Sequence, residues 1–114
     1  MSWTPISARD NPHLQRLRKL AQDGGAYRKL GGVWLEGDHL ARAAVQRGVR
    51  PALALITDEA AADDAMHALA DHAGKVLVVS SALFKSVSGL ESPARIGFEL
   101  SLPAHPVIDA RADS

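Results

Sequence analysis

The stretch "PALALITDEAAADDAMHALADHAGKVLVVS", residues 51–80, decides the fold. It holds two short apolar runs, "ALALIT" (Ala52 to Thr57) and "KVLVVS" (Lys75 to Ser80), with a helical pattern between them. Each run is continuously apolar and not alternating, which predicts strands covered on both faces. The intervening "DEAAADDAMHALADHAG" reads as one helix, with Asp58 as its cap, acids in the first turn and Gly74 at its end. Asp63-Asp64 then falls mid-helix among alanines. Adjacent helical residues diverge by about 100°, so this pair reads as solvated and not as two cooperating carboxylates.

Working outward, "GVWLEG" ends a strand at Glu36-Gly37, and "DHLARAAVQRG" is a helix stopped by Gly48. Downstream, "SALFKSVSG" is a short helix capped by Ser80 or Ser81 and ended by Gly89. "RIGFELSL" alternates strictly, with Ile96, Phe98, Leu100 and Leu102 on one side and Arg95, Gly97, Glu99 and Ser101 on the other. That alternation predicts a half-exposed strand towards a sheet edge. The sum is an α/β chain: a three-layer α/β/α sandwich on a mostly parallel, four-stranded sheet.

The front of the chain is helical and basic. Asn11-Pro12 is a helix start, because Asn caps and Pro fits the first helical position. Leu14, Leu17, Leu20 and Ala21 follow on one face, with Arg16 and Lys19 opposite and Arg18 on the flank. Asp23-Gly24-Gly25 interrupts this helix, and Ala26 to Leu30 forms a second short piece carrying Arg28 and Lys29. The division is therefore a basic helical front at 1–30, an α/β core at 31–102, and a tail at 103–114. The tail, "PAHPVIDARADS", has the prolines, small residues and mixed charges of a linker, which leads us to expect a further domain after it.

The formal net charge is zero, but it is unevenly distributed. Residues 1–50 carry nine basic and four acidic side chains; residues 51–114 carry four basic and nine acidic ones. A split of +5 against −5 suggests a positive surface aimed at a polyanion. The absence of cysteine excludes disulfides and thiolate metal sites. No apolar run approaches the ~20 residues of a membrane span. The N-terminus lacks a signal-peptide layout, so a cytoplasmic protein without a membrane partner is expected.

Catalytic chemistry is hard to find. His13, His39, His67, His72 and His105 show no metal-ligand spacing. "GGVWLEGDHL" lacks the endings of a P-loop or a dinucleotide fingerprint, and Asp38 would repel an anion at that helix start. The serines at 80, 81, 86 and 88 have no nucleophile-elbow context. The chain alone is expected to bind rather than to catalyse, and to hold no cofactor or metal.

"ISARDNPHLQRLRKL" (6–20), "YRKLGGVWLEGDHLARAAVQRG" (27–48) and "VVSSALFKSVSGLESP" (78–93) resemble, in order and spacing, the N-terminal substrate-binding domain of the SpoU/TrmH-type RNA 2′-O-ribose methyltransferases. The resemblance runs from about Ile6 to Leu102. It implies a fold related to kink-turn-binding ribosomal proteins and recognition of ribosomal or transfer RNA. It also implies methyl transfer from S-adenosylmethionine by a catalytic domain absent from this chain, through which the full-length protein would form a homodimer. Gln15, Gly24-Gly25 and Ala94-Arg95 depart from the family and reduce its basic surface. Arg9, Arg16, Lys19, Arg28 and Lys29 are the expected phosphate contacts, with Asn11 and Tyr27 nearer to bases or sugars. For Tyr27 the alternative is a ring packed on the sheet edge, and Glu36 is expected to fix its loop by accepting hydrogen bonds. A stand-alone kink-turn-type RNA-binding protein and a protein-interaction module are the rival functions.

Overall fold

A computed structural model of the chain describes residues 3–101. Its elements begin with β1 (Trp3–Pro5), α1 (Pro12–Gln22), α2 (Ala26–Leu30), β2 (Gly32–Glu36) and α3 (Asp38–Gln46). They continue with β3 (Leu53–Thr57), α4 (Asp58–Ala61), α5 (Asp64–Ala70), β4 (Val76–Val79), α6 (Ser81–Ser88) and β5 (Ile96–Ser101). The linker expected at 103–114, with His105, lies outside the described residues.

The two apolar runs are adjacent parallel strands, with Ala54 opposite Val76 and Thr57 opposite Val79. Both faces of this pair are covered, as their composition requires. Ala54, Ile56 and Val76 pack with Ala41, Ala60, Met66, Leu69 and Ala70 from α3, α4 and α5. On the other face Leu53, Leu55, Leu77 and Val79 pack with Leu14 and Leu17 of α1 and Phe84 and Val87 of α6. Burying each such Leu, Val or Phe is worth roughly 1.5–3 kcal/mol, which is what holds three layers together.

The sheet itself corrects the sequence reading. It has five strands in the order β1-β4-β3-β5-β2, and it is mixed. β4 pairs in parallel with β1 and β3, whereas β5 runs antiparallel to both β3 and β2. A parallel connection would need the helix after β4 to carry the chain to the opposite end of the sheet. Ser88, at the end of α6, instead lies 2.7 Å from Glu36 at the end of β2, so β5 starts at the same end of the sheet where β4 stopped and runs back antiparallel.

β1 escaped the sequence pattern because it is three residues long and contains a proline. Pro5 is tolerated on an edge strand, and the next amide, Ile6 N–H, continues the ladder to Val78 O at 2.8 Å. The basic front therefore starts with a strand, and only from Pro12 is it helical. β5 is likewise not an edge strand. Its alternation is real, yet Gly97 and Glu99 are buried along with Ile96 and Phe98, because side chains from β2 and α1 cover the second face.

The helix expected over 58–74 is two helices. Asp63, placed mid-helix from sequence, is the N-cap of α5: its Oδ1 accepts from Ala65 N–H at 2.9 Å and Met66 N–H at 3.2 Å. Thr57, not Asp58, caps α4 by accepting from Ala60 N–H at 3.1 Å. Capping competes with helix continuation wherever an Asp finds two unpaired amides.

Candidate functional site

The layer formed by α1, α2 and α6 gathers the basic residues. Arg9, Arg16, Arg18, Lys19, Arg28, Lys29 and Lys85 all belong to these helices or to the turn before them, with Asp10 and Asp23 as the acids among them. The opposite layer, α3 to α5 and the turns after them, carries Asp38, Asp58, Glu59, Asp63, Asp64 and Asp71, with Arg42, Arg47 and Arg50 as the basic residues among them. The charge split seen along the sequence is thus largely a split between the two faces of the sheet, with Arg42, Arg47 and Arg50 as the cations of the basic half that lie on the acidic side.

Within the basic layer the expected contact residues have different situations. Asn11 is engaged in capping: its Oδ1 accepts from His13 N–H at 2.9 Å. Arg16 points inward to Glu99, with Nη2 2.7 Å and Nε 3.1 Å from Oε2, and Nη2 also donates to Leu30 O at 2.7 Å. Arg16 is therefore not on the solvated side of α1, where its spacing from Lys19 put it.

Arg9, Lys19, Arg28 and Lys29 are exposed. Among the described residues, Lys19 and Lys29 make no side-chain hydrogen bond or ion pair. Tyr27 is exposed on α2. Its hydroxyl accepts from Arg28 Nε–H at 3.0 Å, and the Arg28 guanidinium carbon stands 5.5 Å from its ring centroid. A guanidinium beside an exposed phenol presents a cation and a π-face together, a combination suited to a phosphate and its base.

Two basic residues in this layer were not among the expected contacts. Arg18 ties α1 to α6, donating from Nε to Ser86 O at 3.1 Å and from Nη2 to Ser86 Oγ at 3.2 Å. Gln22 strengthens the same seam through Ser86 O and Val87 O. Lys85 is exposed on α6, outward because Phe84 and Val87 face the core. The helical spacing of "SALFKSVS" marks Lys85 as outward, but only the α1–α6 seam sets it beside the front helices.

Glu36 behaves as its sequence position suggested. Its Oε1 accepts from Trp34 Nε1–H at 3.1 Å, and its Oε2 accepts from Ser88 Oγ–H at 2.7 Å and Ala94 N–H at 3.0 Å. One carboxylate therefore fixes the end of β2, the end of α6 and the loop into β5. Elsewhere, His67 stacks on Trp3 at 4.2 Å between ring centroids. Among the described residues no group of three or more metal-ligating side chains occurs, and no helix is long and apolar enough to cross a membrane.

The family model of the MRM3-like substrate binding domain matches residues 11–97. No curated protein matches the chain. Among solved structures, the fold is similar to an rRNA methyltransferase from Sinorhizobium meliloti, with a TM-score of 0.71 and 16% identity over 93% of this chain and 39% of that one. The AdoMet-bound form of an rRNA methyltransferase from Sinorhizobium meliloti gives 0.69 and 16% over 91% and 38%. An RNA 2′-O ribose methyltransferase gives 0.68 and 22% over 95% and 41%. The chain spans about two fifths of the length of each, and at these identities the likeness is one of fold.

Proposed function

The chain belongs to the MRM3-like substrate binding domain family, and from that premise we propose that it is the RNA-recognition domain of an RNA 2′-O-ribose methyltransferase. The observation that carries this reading is the segregation of charge by layer, with the cations of α1, α2 and α6 on one face of the sheet. Lysines and arginines on one surface suit a phosphate backbone, because each contact releases condensed counterions. Arg9, Lys19, Tyr27, Arg28, Lys29 and Lys85 form the contact surface in this proposal. Asn11 and Arg16 serve the fold beneath it.

The finer parts of the reading follow from the same premise. The RNA would be ribosomal or transfer RNA, and residues 103–114 would link to a catalytic domain that also makes the protein a homodimer. The cell compartment would be the cytoplasm. S-adenosylmethionine would supply the methyl group from a site in that catalytic domain. The cleft of about 300 Å³ at the ends of β1 and β4 does not fit this cofactor: it is lined by Pro5, Ile6, Ser7, Asp58, Val78, Val79, Ser80 and Leu83. It offers no cation for the methionine carboxylate.

The test is the affinity of the chain for a short stem–loop RNA over a series of salt concentrations. Binding should weaken linearly in log K against log salt. Lys19→Ala with Lys29→Ala should flatten that slope by about 1.4–1.8 for two lost phosphate contacts. A wild-type chain that leaves the RNA unbound at low salt would overturn the proposal.

A further inference from the structure

Arg16 joins three elements through one guanidinium. It leaves α1, meets Glu99 in the middle of β5, and donates to the carbonyl of Leu30, the last residue of α2. That carbonyl is one of those a helix end leaves without an intrahelical partner. With five residues, α2 is also far too short to be stable by itself. The tie to Arg16 is therefore a substantial part of what fixes α2 against the sheet.

The surroundings are built to keep the pair in place. Glu99 is buried, and a buried carboxylate without its partner is strongly unfavourable, so Arg16 is committed to it. Gly32, the first residue of β2, leaves the room. A Cβ there would stand 2.9 Å from Glu99 Oε2 and 3.4 Å from Arg16 Nη2, so a side chain at 32 would displace the pair. Beyond Leu30, α2 presents Tyr27, Arg28 and Lys29 outward.

We infer that Arg16 and Glu99 are positioning residues, which together hold α2 where Tyr27, Arg28 and Lys29 meet RNA; this rests on the RNA-recognition reading. Arg16 strengthens binding by orienting other cations and makes no phosphate contact of its own. Glu99, although negatively charged, favours the binding of a polyanion. That sign is the opposite of what its charge alone dictates, and it separates the two roles of Arg16.

The experiment compares Glu99→Leu and Arg16→Lys with the wild-type chain, using the same stem–loop RNA and salt series. Leucine removes the acceptor without leaving a buried charge, and lysine keeps the charge of Arg16 but not the fork that reaches Glu99 and Leu30 together. Both variants should lower affinity about fivefold, the value of roughly one lost hydrogen bond. The salt slope should stay unchanged, and amide exchange across residues 27–31 should quicken. Tighter RNA binding by Glu99→Leu would mean a released Arg16 reaching phosphate, and would overturn the inference. So would wild-type affinity in Arg16→Lys, or unchanged exchange in α2. If the wild-type chain binds no RNA, the function proposal fails by itself, while the exchange measurement still decides whether the pair holds α2.

Discussion

The indole of Trp34 lies over Gly97, across the β2–β5 pairing, in the space that any side chain at position 97 would need. Glycine there is a packing requirement: the ring covers the second face of β5 and reaches towards Phe84, 6.2 Å away between centroids. Gly97→Ala should cost about 1–3 kcal/mol, the usual penalty for overpacking a filled core. Urea unfolding checks it, and adding Trp34→Leu should recover most of the loss.

Glu36 gathers three donors from three elements, and hydrogen bonds to a charged group are each worth about 1.5–3 kcal/mol. Because Glu36 is only half-buried and water can take over part of what its donors lose, Glu36→Ala should destabilise the domain by less than their sum, about 2–3 kcal/mol. The loss should be seen first as faster amide exchange at 88–95, where Ser88 and Ala94 lose their acceptor.

Asn11 and Lys85 should separate fold from binding. Asn11→Ala removes a helix cap and should cost about 1 kcal/mol of stability while leaving the RNA salt slope unchanged. Lys85→Ala should flatten that slope by about 0.7–0.9 and leave stability nearly unaltered. Arg42→Ala, on the acidic layer, should change neither the slope nor the affinity for RNA.

Asp38 should titrate low. Desolvation is the largest single effect and raises it, but the His39 charge, the Arg42 hydrogen bond and charge, and its own backbone amide together outweigh it, so its carboxyl lies below the ordinary 3.8. The Arg42 Nη1–Asp38 Oδ2 distance is 2.9 Å. Because the folded value is depressed, the favourable contribution is fully present above pH 3.8 and disappears as pH falls through the lowered value. Carboxyl chemical shifts followed by NMR should give a midpoint below 3.8, and Arg42→Ala should raise it.

Much of this was legible in the chain. The apolar runs at 53–57 and 76–79 are buried strands, Asn11-Pro12 opens a helix, Ser80 caps α6 and Glu36 fixes its loop, each for a local reason that periodicity or capping supplies. The α/β class and the basic front follow from such local signals. β1 was invisible because three residues with a proline carry no period, and the break at Asp63 because a cap among alanines resembles a continuous helix.

What the sequence by itself determined is which residues are apolar enough to be buried and where helices and strands begin. Those preferences are set within a few residues along the chain. Only the tertiary structure decided which strand lies next to which, and so that β5 is an interior strand, antiparallel and covered on both faces. It alone turned Arg16 from the solvated side of a helix to Glu99, 83 residues away. An ion pair between such distant residues leaves no local period to read. A cation is drawn inward only because folding places a buried carboxylate and an unpaired helix carbonyl within reach of the same guanidinium.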